Sequence, residues 1–123
     1  MTDLIKVCSG RKFDVMMTGQ VERHLKKADR QQLARCQKWM QKFCDDGFEF
    51  LTNEQLKFEG KFSTGDKRGT QLSVYAFKAW QLRAYGCVIG NRFVVTEVDI
   101  AKKQNEADRD KLEAAARKMA DYI

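Results

Sequence analysis

The sequence predicts a small α+β domain: two N-terminal helices packed on a small antiparallel sheet, with a C-terminal helix. Three observations carry this. Leu33, Cys36, Met40 and Phe43 recur every three or four positions, the period of a buried helical stripe. From Thr70 to Val98 the period shortens to two, as in strands. Leu112, Ala115, Ala116, Met119 and Tyr122 then restore a helical stripe.

Taken in order, 4–8 and 13–17 read as short strands separated by Ser9-Gly10. Thr18-Gly19 leads into a helix from Gln20 to about Ala28, with Val21, Leu25 and Ala28 on one face. Asp29 is an N-cap for a second helix over 30–44, because its carboxylate can accept from unpaired first-turn amides. Gly47 supplies the left-handed residue that closes it. Trp39 fits either the core or an exposed anchor. Thr52 caps a short helical turn through Gln55-Leu56, and the glycines and polar residues of 61–69 read as a loop. Strands follow around 70–77, over 80–89 and over 92–98, the last two joined by a Gly90-Asn91 turn. Asn105, with Asp108 three residues on, caps the final helix. Leu33, Met40 and Phe43 are expected to meet Leu72, Val74, Leu82, Val94 and Met119 in one core, within one domain spanning 1–123.

The balance of 23 basic against 17 acidic residues gives a net charge of +6. It favours an anionic partner, a nucleic acid or an acidic protein, although a solvated surface without a partner stays open. Lys57, Lys61, Lys67, Arg68, Lys78 and Arg83 face only Glu59 and Asp66 within their stretch. No apolar run approaches the roughly 18 residues of a membrane span, and the N-terminus lacks the apolar region of a signal peptide. A cytoplasmic protein without membrane contact is expected. The four cysteines (Cys8, Cys36, Cys44, Cys87) contain no paired C-x-x-C spacing, which argues against zinc; they read as reduced, partly buried thiols. No cofactor is expected.

Familiar catalytic sets are missing from the sequence. His24, the single histidine, sits among Glu22, Arg23, Lys26 and Lys27 and reads as a solvated helix residue. No nucleophile elbow or phosphate loop is present. Glu97 and Asp99 share a strand face but fit an edge facing solvent. What remains is basic and aromatic: Lys61, Lys67, Arg68, Lys78, Arg83, Tyr85, Lys102 and Lys103. Alternation puts Arg83 and Tyr85 on one face, and the lysine pair follows the return strand, so all four can gather on one rim. Such a cluster can serve RNA cleavage without metal. The 2′-hydroxyl attacks the neighbouring phosphate, fixed cations stabilise the developing charge, a crowded lysine acts as base, and an aromatic ring stacks a splayed base.

The stretch Leu82-Arg83-Ala84-Tyr85 through Val94-Val95, then Asp99 to Lys103, then Ala114 to Tyr122, resembles the C-terminal half of the RelE/HigB/ParE toxin superfamily. Lys103 lies 20 residues after Arg83, the spacing of that family's strand arginine and later basic residue. The resemblance implies a RelE-like fold and a toxin–antitoxin function: a metal-independent mRNA endonuclease (a hydrolase) acting at the ribosome, neutralised by an acidic antitoxin protein. It assigns contact with the scissile phosphate to Arg83 and Lys103. Tyr85 completes the expected catalytic set, with Lys61, Lys67, Arg68, Lys78 and Lys102 as RNA-binding residues. Val74 and Ala76 stand where the family's nucleases often carry lysines. The alternatives are a non-catalytic, phage-encoded binding protein of that fold, using its basic face on a protein or nucleic acid, and a basic α+β module unrelated to toxins.

Overall fold

The computed structural model describes residues 4–101 and 108–123. The chain runs β1 (Ile5–Ser9), β2 (Asp14–Met17), α1 (Gly19–Leu25), α2 (Arg30–Asp46), β3 (Leu56–Ser63), β4 (Gln71–Ala79), β5 (Leu82–Ile89), β6 (Arg92–Asp99) and α3 (Arg109–Lys118), with a closing 3₁₀ turn at Met119–Asp121. The strands form one six-stranded sheet in the order β1-β2-β6-β5-β4-β3. Neighbours are antiparallel except β2 and β6, which run parallel with Val15 opposite Phe93 and Met17 opposite Val95.

This corrects the expected small antiparallel sheet, and the RelE-like architecture with it. The sheet is larger and mixed, and helices cover both of its faces. Two segments account for the difference. The β1–β2 hairpin joins the sheet beside β6, and the parallel pairing requires a long crossover, here the whole of α1 through β5. Leu56–Ser63, read as a helical turn and loop, is an edge strand paired with β4 from Leu56 opposite Phe77 to Ser63 opposite Gln71. It lacks β-branched residues and contains Gly60, so propensity concealed a strand that its neighbour imposes.

The single expected core is two cores. On one face Cys36, Met40 and Phe43 of α2 pack against Phe77, Leu82, Ala84, Phe93 and Val95, with Val15 and Met17 from β2. On the other, Leu112, Ala115, Ala116 and Met119 pack against Val74, Ala76, Tyr85, Cys87 and Val94. Leu72, Val74, Val94 and Met119 therefore lie across the sheet from Met40, Phe43 and Leu82. Successive strand side chains point to opposite faces, so a strand apolar on both parities, such as β4, must be covered twice.

The helix ends follow their capping chemistry. Thr18 Oγ1 accepts from Val21 N at 3.2 Å, and Asp29 Oδ1 accepts from Gln31 N and Gln32 N, each at 3.0 Å. Gly47, at φ 75°, closes α2 by donating from its amide to Phe43 O. Asp108 caps α3, while Asn105 lies outside the described residues. Among the described residues no helix is long and apolar enough to cross a membrane.

Candidate functional site

Ala79 and Leu82 are the last paired residues of β4 and β5, so Trp80 and Gln81 form a two-residue turn at one end of the sheet. Trp80 adopts φ 54°. That region crowds an L residue's Cβ against its carbonyl and costs about 1–2 kcal/mol, and it is an outlier for a bulky side chain. The indole gains little burial in exchange, remaining 57% exposed. Strain retained beneath an exposed aromatic ring is characteristic of a binding position.

Helix α2 supplies the ring's neighbours. Arg35 and Trp39 are four residues apart and so share a helix face. The Arg35 guanidinium carbon lies 4.5 Å from the centre of the Trp80 ring and 6.0 Å from that of Trp39, and Lys38 Nζ lies 5.8 Å from Trp39. Both indoles therefore carry a cation against a π face, worth about 0.5–1 kcal/mol at an exposed site.

Arg83 completes the arrangement. Its Nη1 donates to Leu82 O at 2.9 Å and to Trp80 O, which ties the guanidinium across the turn. A guanidinium has five N–H donors, and among the described residues Nε and Nη2 carry no hydrogen bond, leaving them for a ligand. Lys78 stands directly opposite Arg83 in the β4–β5 register. Burial, then the neighbouring charges of Arg83 and Lys57, lower its pKa from the ordinary lysine value. Arg35, Trp39, Lys78, Trp80 and Arg83 line an open pocket of about 400 Å³ together with Thr52, Gln55, Ala79 and one carboxylate, that of Glu54. Three cations and two indoles around one cleft can hold a phosphate while an unpaired base stacks.

The expected site residues divide. Arg83 and Lys78 come together here, but Arg83 sits next to the turn rather than mid-strand. Lys61 is exposed on β3 opposite Ser73, five residues along β4 from Lys78 or about 17 Å at the rise of a strand. Lys67 and Arg68 are exposed in the β3–β4 connection, where Asp66 accepts from Thr70 N at 2.7 Å. Lys61 instead borders a separate pocket with Arg109 and Arg117. Tyr85 is fully buried beneath α3, and its hydroxyl has no partner among the described residues. Burial pushes its pKa upward. It is a core side chain, removed from any ligand. Lys102 and Lys103 lie outside the described residues.

Arg35 and Trp80 are the candidate site residues that sequence reasoning missed; Trp39, read as either core or an exposed anchor, is half-buried against the core and also lines the cleft. Two alternating runs separated by two residues are a hairpin signal, and reading 72–79 and 82–89 that way would have placed Trp80 in the turn. Nothing in the sequence joins the outer face of α2 to that turn. No protein-family model matches the chain, nor does any curated protein or solved structure.

Proposed function

We propose that the protein binds single-stranded RNA in the cytoplasm, through the cleft between α2 and the β4–β5 turn. The observation that carries this is Trp80, strained at φ 54° yet exposed, with Arg35 over its ring and Arg83 bonded to its carbonyl. An exposed indole offers a stacking surface to any base, worth about 1–3 kcal/mol, and the adjacent cations take the flanking phosphates. Stacking requires a base free of its duplex, so single strands are favoured.

Metal-independent cleavage is a second reading, favoured by the lowered pKa of Lys78 beside Arg83. A lysine that gives up its proton more readily can remove the 2′-hydroxyl proton, and Arg83 can stabilise the charge on the attacked phosphate. The products would be a 2′,3′-cyclic phosphate and a 5′-hydroxyl. On this reading the expected toxin role at the ribosome, and an acidic partner that masks the cations, follow as proposals.

One experiment tests both. Wild-type protein and Arg83→Ala are titrated against labelled single-stranded RNA in EDTA, and the RNA ends are then mapped. Arg83→Ala should weaken binding at least about tenfold, as for loss of a charged hydrogen-bond partner. Equal affinity for the two proteins would place the ligand elsewhere. Cyclic-phosphate ends with wild type alone would support cleavage; intact RNA would leave a binding protein.

A further inference from the structure

The β1–β2 hairpin clamps the C-terminal end of α2. Lys12 N and Phe13 N both donate to Cys44 O, at 2.9 and 3.0 Å, satisfying a carbonyl in the helix's last turn. Gln41 Nε2 donates to Ser9 O at 3.0 Å, and Arg11 pairs with Asp46 at 2.9 Å. Gly10 packs so closely that a Cβ there would lie 2.6 Å from the Cys44 carbonyl carbon. Two backbones held this tightly bring two sulfurs together: Cys8 Sγ and Cys44 Sγ are 3.3 Å apart.

We infer that Cys8 and Cys44 form an oxidisable dithiol, closed to a disulfide by exchange with a small-molecule disulfide of the glutathione class. The 36-residue separation places one sulfur on an edge strand and the other on the helix that the hairpin caps. A disulfide needs a sulfur separation of about 2 Å, so closure asks for an approach of roughly 1.3 Å, within the reach of side-chain rotation. Cys8 is half-buried and reachable, whereas Cys44 is fully buried. Cys8 therefore reacts first. Its thiolate attacks one sulfur of the oxidant, forming a mixed disulfide and releasing one thiol, which takes up the proton Cys8 lost. Cys44, deprotonated in turn, attacks Cys8 Sγ, breaks the mixed bond and releases the second thiol with the second proton. The protein loses two S–H bonds and gains one S–S bond, while the oxidant is reduced to two thiols. Cys36 and Cys87 are buried without a sulfur partner. Burial raises all four thiols, those of Cys8 and Cys44 included, so proximity rather than acidity selects the pair. The chemistry is confined to one pair, and it is independent of the RNA reading.

The test is to incubate the full chain with glutathione disulfide, count thiols, and map peptides without reduction. Four free thiols should fall to two, with the Cys8 and Cys44 peptides joined. Closing that loop should raise Tm by roughly 5–15 °C, reversed by dithiothreitol. Cys8→Ser should stay folded and show neither the crosslink nor the rise. Four persisting thiols, a lasting glutathione adduct on Cys8, or a bridge between other cysteines would overturn the inference.

Discussion

Trp80 concentrates the argument at the scale of a residue. A two-residue turn that needs positive φ at its first position ordinarily uses glycine there, and this chain carries its most exposed large aromatic instead. On the proposed reading the backbone cost is retained because the indole stacks a base. Trp80→Gly should leave the protein as stable as wild type or more so, since relief of about 1–2 kcal/mol of strain offsets glycine's larger unfolded-state entropy. RNA affinity should nevertheless fall about tenfold or more with loss of the stacking surface. Thermal melts and binding titrations on the same variant check the two halves. Loss of stability together with affinity would reduce Trp80 to a structural residue. Arg83 was legible as a candidate because arginine in a strand beside other cations is a phosphate signal. Tyr85 looked equivalent, since alternation places both on one face. Position along the strand separates them: Arg83 is at the sheet's end, while Tyr85 lies under α3.

At the scale of an element, β5 and β6 show how local sequence meets packing. The register between them shifts after Tyr85, where Gly86 comes to face Val95. A Cβ on Gly86 would lie 2.1 Å from Val94 O and 2.7 Å from Phe93 Cε1, in the middle of the sheet. Gly86→Ala should therefore cost about 2–4 kcal/mol, because backbone and a packed ring must both move. Chemical denaturation measures this, and a loss below about 0.5 kcal/mol would contradict the close approach. Across the shift Thr96 Oγ1 donates to Ala115 O at 2.8 Å, tying β6 to α3. Most elements could be read in advance. The α2 stripe, the Asp29 cap, the Gly90-Asn91 turn and the α3 stripe are local patterns, and each stands in the structure. The strand β3 and the parallel β2–β6 pairing depend on partners remote in sequence, and local periodicity carries no information about them. The same limit hid Arg35, whose part in the cleft comes from where α2 crosses the sheet.

At the scale of the whole molecule, basic residues among those described gather in more than one place. One group, Arg35, Lys78 and Arg83, gathers around the two indoles. Another, Lys61, Arg109 and Arg117, borders β3 and α3, where Glu113 pairs with Arg109 at 2.9 Å. Net charge alone predicts an anionic partner; the second group meets only the half-buried ring of Phe62, 5.8 Å beneath Arg109, whereas the first joins its charge to an exposed indole. The cleft contains both tryptophans of the chain, Trp39 and Trp80, so intrinsic fluorescence reports on it without a label. The most direct measurement is tryptophan emission during titration with single-stranded RNA, with duplex RNA alongside, over a series of salt concentrations. Single strands should quench the emission, with an affinity that falls as salt rises in proportion to the phosphates held, and duplex should quench little. Binding that left the tryptophan emission unchanged, or equal quenching by duplex, would contradict the account.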